Sequence, residues 1–504
     1  MLLFSAPHMK RFFSICCLTL LSQFIAAAPA EVPQGLFSEA WMEVRMFNAK
    51  VGYSHTTLHR DGDVVHTRTE TTMKINRAGA NVEMTSIEST RETIGGQPLG
   101  FFSSLNLGNA PVRKKGVIDG EKIVVTAKQF GRERTIVHPF DRRGLMNWGL
   151  ELLAREKGHA DGSKFEAWLY SPDFGMEAPT RITVESLGKE TFPFRDGKKE
   201  GKKVLTTMHS KVGEVSVASW LDVDGELLRM SMKMAGIPIE MLASTKEKAM
   251  EDFAPTDLFT KSLLTIDRNI PSKATTVVYE LRPKKGGKLD FQPEKNDFQA
   301  VRALEGGAVE VTVKRAQRED LLKAKGHSGG LGLEFKKGNV MIDSDDPHVV
   351  RLSQRAARGS RNAFDLAHRL RHFVSHYVRV KNLDVGFATA SEVARSREGD
   401  CSEHAVLLAA MGRASGLPSR VVAGLVYVPE LAGKTNVMGY HMWTQFHLRG
   451  RWVDFDAALG ESECAPTRIA LMTSSLEDSS LTELGLALLD YIGQVEIKVT
   501  KVEE

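Results

Sequence analysis

From about residue 40 to residue 244 the chain is a succession of short runs in which apolar and polar residues alternate, separated by turn residues. Alternation at period two sends successive side chains to opposite faces of a strand, which restricts this half of the chain to antiparallel sheet. The clearest runs are 64–75, 82–90, 121–127, 180–187, 203–211 and 214–221, and Asp61-Gly62, Asp119-Gly120 and Asp224-Gly225 mark tight turns. One helical interruption falls at 143–157, where Leu145, Trp148, Leu152 and Leu153 share a face. The expected architecture is a curved, half-open sheet wrapped around a helix.

A second β-rich stretch covers 259–317, with strands at 275–281 and 308–313. Inside it, Lys284-Lys285-Gly286-Gly287-Lys288 reads as a solvated turn. The Gly-rich segment 326–332 lacks the Lys-Ser/Thr of a phosphate loop, and no helix follows it, so it reads as a connector. From residue 347 the period becomes helical, over 349–359, 363–377 and 389–397, before a helix that opens at Cys401 and gives way to strands. A chain of 504 residues exceeds what one hydrophobic core usually serves. The fold class expected is therefore multidomain α+β, with a β-rich N-terminal domain at 31–255, a second β-rich domain and linker at 256–345, and an α+β domain at 346–504.

The N-terminus reads as an export signal. Lys10-Arg11 precede an apolar run over 12–25 that ends in Ala28-Pro29-Ala30, a small-x-small cleavage pattern. Cleavage after Ala30 makes 1–30 the signal peptide and the mature protein periplasmic or secreted, and no later segment is apolar for long enough to span a bilayer. It also removes Cys16 and Cys17, leaving Cys401 and Cys464. Either these two pair or Cys401 is a free thiol with a task, and the residues around Cys401 favour the second. Hydrophobic residues at 42% and charged residues at 26% are ordinary for a soluble globular protein. The formal charge of +4 is small, and no Lys/Arg run is interleaved with aromatics, so nucleic acid is not an expected partner.

Chemistry concentrates near the C-terminal end, in Arg397-Glu398-Gly399-Asp400-Cys401-Ser402-Glu403-His404, then His441-Met442-Trp443, then Trp452-Val453-Asp454-Phe455-Asp456. A thiol, an imidazole and a carboxylate are the groups that make, activate and orient a sulfur nucleophile. Asp400 and Glu403 form a capping-box pattern around Cys401, which puts the thiol in a helix's first turn, where free N–H groups and the dipole favour thiolate. The flanking carboxylates oppose ionisation, so an imidazolium is needed to complete the activation. If Arg449-Gly450 forms a hairpin turn, Leu448 faces Arg451, Trp443 faces Asp456, and Asp456 is the diagonal neighbour of His441. Asp454 shares that face opposite Gln445, two pleats further from His441, so the geometry favours Asp456 as the partner. The backbone N–H of Cys401 is the natural first oxyanion donor, and the Trp443 indole is a candidate second.

These segments, with Ala390-Ser391-Glu392-Val393 and Gly416-Leu417-Pro418-Ser419-Arg420-Val421-Val422, resemble the bacterial transglutaminase-like superfamily. The resemblance spans about 365–458, departing from the common pattern at Ala457, where many members have proline. It implies a papain-like core within 346–504, with Cys401, His441 and Asp456 as the catalytic residues, and no cofactor. The expected function is an exported cysteine-dependent acyltransferase or amidase that forms a thioester from a peptide-like amide and resolves it with amine or water. The alternatives are a cysteine peptidase acting purely by hydrolysis and an envelope binding or assembly module with a vestigial transglutaminase-like fold. His404 beside Cys401, and His368, His372 and His376 at four-residue spacing, have no further ligand pair and read as polar surface or local structure rather than a metal site. The segment 433–440 reads as a mobile loop before His441.

Overall fold

A computed structural model describes residues 32–476 and 495–504, apart from 78–79, 107–110, 130–131, 159, 173–174, 196, 211–212, 235–236, 258–262, 285–291, 324–329, 340 and 382–387. The expected signal peptide, the lysine-rich turn from Lys285 onward and the Gly-rich connector up to residue 329 lie outside the described residues. Two compact units emerge, 1–75 with 83–256, and 76–82 with 257–504. Among the described residues, no helix is long and apolar enough to cross a membrane.

In the first unit the alternating runs build one sixteen-stranded sheet among the described residues. The strand Gly35–Met46 lies at its middle, paired antiparallel with Ala49–Asp61 on one side and Ile237–Ser244 on the other. Successive hairpins extend the sheet outward in both directions. Gly62 and Gly120 take positive φ in the tight turns the sequence marks, as does Gly225, a conformation that glycine adopts without steric cost. Cross-strand hydroxyl pairs line part of the buried face, Ser54 with Thr71 at 2.9 Å and Thr56 with Thr69 at 3.0 Å.

The helix of this unit is Asn147–Lys157, shorter than the run 143–157 because Gly144–Leu145 forms a two-residue strand parallel to Lys164–Ser171. Its N-cap Met146 has no side chain to accept the first N–H groups. The sheet supplies the cap instead. Buried Glu92 accepts the N–H groups of Trp148 at 2.7 Å and Gly149 at 2.9 Å, and Thr90 donates its hydroxyl to the same carboxylate. Trp148 packs with Leu58 and Val65 and donates its indole N–H to the Ile94 carbonyl at 2.9 Å.

In the second unit, helices Pro347–Ala357, Ala363–Tyr377, Ala390–Ser396 and Cys401–Ala414 precede the strands Ser419–Leu431, Lys434–Leu448, Arg451–Asp456 and Arg468–Ser474. The last helix is buried from Ser402 to Arg413, and its Val406, Leu407, Leu408 and Met411 are fully enclosed. Each such side chain contributes roughly 1.5–3 kcal/mol through removal from water. The helix lies close on the strand Lys434–Leu448 because Gly412 leaves room for Phe446, whose ring carbon would stand 2.2 Å from an added Cβ. Thr444 Oγ1 donates to the Ala405 carbonyl at 2.9 Å across the same contact.

The stretch from 257 onward is part of this unit and shares a core with those strands. Val277, Tyr279, Leu281, Val309 and Val311, from a sheet that is four-stranded among the described residues, pack with Leu425, Tyr427, Met438, Ile469 and Leu471. The C-terminal strand Val495–Glu503 completes that smaller sheet by pairing with Thr276–Pro283. Residues 434–440 are not a loop. They pair with the strand Ser419–Leu431 as far as Leu431 opposite Lys434, because alternate backbone groups there find ladder partners.

Burial pushes the Glu92 carboxyl up from its ordinary 4.5 to about 7, against the hydrogen bonds it accepts. A raised folded-state value means that the folded state holds the proton more tightly. Its contribution to stability is complete below pH 4.5 and lost as pH rises to 7, at roughly 1.4 kcal/mol for each pH unit crossed. Urea denaturation of the full chain should show stability declining over that window, and Glu92→Gln should flatten the decline.

Candidate active site

Local sequence places the thiol. Asp400 accepts the Ser402 N–H at 2.8 Å, and Glu403 Oε2 accepts the Asp400 N–H at 2.9 Å, so the capping box starts the helix at Cys401. Gly399 has φ of 145°, and a Cβ there would lie 2.2 Å from the Glu403 Cβ, so the approach to the cap admits only glycine. Glu403 is fully buried, and its Oε1 accepts the Ala388 N–H at 3.1 Å. Burial, reinforced by Asp400, pushes its carboxyl up to about 8. Asp400 and, after it, Glu403 oppose ionisation of the neighbouring thiol.

The hairpin has the register that places Leu448 opposite Arg451 and Gln445 opposite Asp454. Arg449 and Gly450 both take positive φ in its turn. His441, 9% exposed, and Asp456, 1% exposed, meet through Nε2 and Oδ2 at 2.7 Å. Burial alone would raise the Asp456 carboxyl, but the charge and hydrogen bond of His441, together with the Arg468 guanidinium, hold it well below the usual carboxylate range. His441 and Arg468 thus favour the ionised form of Asp456. Its other oxygen accepts the Leu459 N–H at 3.0 Å.

Cys401 is partly exposed at the helix start, and a backbone hydrogen bond from Met442, the residue after His441, reaches its thiol. The structure thus brings Cys401, His441 and Asp456 to one place. The ionisation expected from the helix dipole does not follow. Burial, then the Asp400 carboxylate, push the Cys401 thiol well up, and the Met442 hydrogen bond opposes them only in part. Cys464 is buried, and both cysteines are free, so the disulfide alternative is not realised.

The Trp443 indole is not available as an oxyanion donor, because its Nε1–H donates to Asp454 Oδ1 at 2.8 Å. Gln445 Nε2 donates to the same oxygen at 2.8 Å, and Arg420 donates to Gln445 Oε1 at 2.7 Å. Asp454 is therefore spent on holding Trp443, whose ring stacks on His441 at 6.3 Å between centroids and 20° between planes. Of the three spaced histidines, His368 pairs with Glu463, and His376 Nδ1 donates to the His372 carbonyl at 2.9 Å. Among the described residues, no group of three or more His, Cys, Asp or Glu side chains is arranged to hold a metal ion.

Sequence reading passes over Arg468. The residue is 2% exposed, donates Nη1 to Asp456 Oδ2 at 3.1 Å and Nη2 to Glu461, and lies over the Trp443 ring at 5.2 Å. Its only sequence signal is an arginine that opens an otherwise apolar strand, Arg468-Ile469-Ala470-Leu471.

Residues 350–457 match the family model described as Transglutaminase-like superfamily. The chain contains a transglutaminase-like domain. No curated protein matches the sequence. Among solved structures, a proposed cysteine protease from Cytophaga hutchinsonii is similar at 13% identity over 46% of this chain and 90% of its own, with a TM-score of 0.30. A proposed protease from Parabacteroides distasonis is similar at 12% identity over 80% of this chain and 70% of its own, with a TM-score of 0.20. Likenesses at these TM-scores carry no argument about activity. The transglutaminase-like domain holds Cys401 on its buried helix and His441 and Asp456 on adjacent strands of its sheet.

Arg468 neutralises a buried carboxylate within this domain, so deleting it exposes the cost of that burial. Arg468→Met should lower the stability of the full chain by about 3–5 kcal/mol in urea denaturation, the range for a buried ion pair that loses one partner. Arg468→Lys, which keeps the charge without the two-pronged contact, should fall between the variant and the parent.

Proposed function

We propose that the transglutaminase-like domain is a cysteine-dependent acyl-transfer enzyme acting on a peptide-like amide, with Cys401 as nucleophile, His441 as base and Asp456 as the residue that orients and stabilises His441. The observation that carries this reading is the 2.7 Å hydrogen bond between His441 and an Asp456 carboxylate kept ionised beside a free thiol. With Nε2 committed to Asp456, Nδ1 is the ring nitrogen left to serve the thiol.

The chemistry then runs by general-base catalysis rather than through a preformed thiolate. As the Cys401 sulfur attacks the amide carbonyl, its proton passes to His441 Nδ1, and the anionic Asp456 stabilises the imidazolium that forms. The backbone N–H groups at the helix start, that of Cys401 first, face the negative charge on the tetrahedral oxygen. Collapse expels the amine, which takes the proton from His441, and leaves an acyl thioester on Cys401. Water resolves the thioester to an acid, and a primary amine resolves it to a new amide. Export belongs to the same reading, supported by the Lys10-Arg11, apolar run and Ala28-Pro29-Ala30 pattern.

Incubating the purified chain with a labelled peptide amide and an excess of primary amine tests this reading. Acyl adduct on Cys401 by mass spectrometry, with labelled acid or amide released, is the expected result. Retention of turnover in Cys401→Ala would sink it. His441→Ala and Asp456→Asn should each slow adduct formation by on the order of 100-fold or more at pH 7. Asp454→Asn, which can still accept the Trp443 indole hydrogen bond, should cost markedly less than Asp456→Asn.

A further inference from the structure

Residues 347–381, which form the helices Pro347–Ala357 and Ala363–Tyr377 and the segment after them, carry eight arginine and lysine residues against a single acid, Asp365. The net charge of this stretch is +7 while the whole chain carries +4, so the remainder of the chain is net acidic. Seven of the eight cations are arginine. Solvation alone does not require that choice, because what arginine adds over lysine is a planar fork of N–H donors that matches phosphate.

Helical spacing and packing collect these charges on one face. The first helix turns Val349, Leu352 and Ser353 inward, where Ser353 donates to the Met411 carbonyl of the Cys401 helix at 2.7 Å. That leaves Arg351, Arg355 and Arg358 exposed at spacings of four and three. The second helix buries Phe364, Ala367, Leu370 and Val374 and leaves Arg369, His372 and His376 exposed in the same way. Two contacts join the stripes: the Arg355 guanidinium lies over the Phe373 ring at 5.8 Å, and Arg369 Nη1 donates to the Arg358 carbonyl at 3.0 Å. Arg361, between the helices, and Arg379, beyond the second, are exposed as well. Among the described residues, Arg369 alone of these six arginines pairs with a carboxylate, that of Asp365 at 3.2 Å. Phe373 and Tyr377 stack on each other at 5.3 Å and lie against Arg355 and Arg397, so these two rings are occupied and do not form a platform for nucleic-acid bases.

We propose that this arginine face docks the chain on the surface of an anionic phospholipid bilayer, with lipid phosphates as the ligands. The inference goes beyond the acyl-transfer reading and takes from it only export, which brings the chain to a membrane. Exposed arginines without counter-ions complement the negative potential of such a surface, and each adds to the attraction. At the end of the face the chain continues as Arg379-Val380-Lys381, in which Val380 is 47% exposed. An apolar side chain between two cations suits the boundary between headgroups and acyl chains. The Val380 carbonyl accepts the N–H of Gly399, two residues before Cys401, at 3.0 Å. Docking through this face therefore holds the helix start that carries the thiol near the bilayer surface.

Co-sedimentation of the full chain with vesicles of phosphatidylcholine alone, and of equimolar phosphatidylcholine and phosphatidylglycerol, tests the assignment. The readout is the ratio of the two affinities, in which apolar partition common to both vesicles cancels. The parent should prefer the anionic vesicles about 100-fold or more at low salt, and sodium chloride at about 0.5 M should abolish the preference. Arg351→Gln, Arg358→Gln and Arg379→Gln combined should lower the preference about 10- to 100-fold. Lys189→Gln, Lys198→Gln and Lys199→Gln combined, which remove the same charge from exposed positions in the first unit, should change it less than about twofold. Equal affinity of the parent for the two vesicles, a preference that survives high salt, or the same loss in both triple variants overturns the assignment. Displacement from the anionic vesicles by duplex DNA at equal phosphate concentration also overturns it, in favour of nucleic acid. If the arginine triple variant does not fold, Arg379→Gln, outside both helices, should lower the preference about threefold or more, and no change counts against the assignment. None of these outcomes bears on adduct formation at Cys401, so the acyl-enzyme reading stands or falls separately.

Discussion

A carboxylate at 1% exposure, shared between an imidazole and a guanidinium, is the interaction around which the second unit is organised. Desolvation works against an ionised Asp456, and the side chain stays charged because three donors converge on it. They come from different places in the chain: His441 from one strand, Arg468 from another, and the backbone of Leu459 from the turn between. Only a sheet with the correct register delivers all three, so the ladder pairing and the charge depend on one another. Trp443 ties them further, lying in ring contact with His441 at 6.3 Å and beneath Arg468 at 5.2 Å while its indole is held by Asp454.

Close packing enforces the rest of the arrangement. The helix that begins at Cys401 reaches the His441 strand because Gly412 makes room for the Phe446 ring, and its cap forms because Gly399 takes a backbone conformation that side chains oppose. The same enclosure sets the protonation states. It pushes the Glu403 carboxyl and the Cys401 thiol toward their neutral forms, while His441 and Arg468 hold Asp456 toward its ionised form. A site with one fixed negative charge next to an imidazole is suited to taking up a proton as the sulfur attacks, rather than to storing a thiolate beforehand.

Much of this was legible from local pattern. Period-two alternation and Asp-Gly turns identified the antiparallel sheet, the change of period near residue 347 identified the helices, and Asp400 with Glu403 identified where the helix begins. The Arg449-Gly450 turn was enough to count the hairpin, and the count singled out Asp456, which does hydrogen-bond His441, from Asp454, which binds Trp443 and Gln445 instead. Reading failed where a long-range contact overrode a local signal. The helix dipole argued for a thiolate, and burial outweighed it. The glycines before His441 suggested a loop, and pairing with the neighbouring strand made it sheet. Met146 gave no sign of a cap, since the capping carboxylate is Glu92, more than fifty residues earlier.

The amino-acid sequence by itself determined the element types, their order, the capped helix start and the chemical groups available, because side-chain period, turn preference and capping act over a few residues. Tertiary structure alone decided which charges survive burial, that Arg468 stabilises Asp456 and that Trp443 is occupied. Those outcomes depend on desolvation and on distances between residues remote in sequence, and both come into existence only when the sheet register and the helix packing close around them.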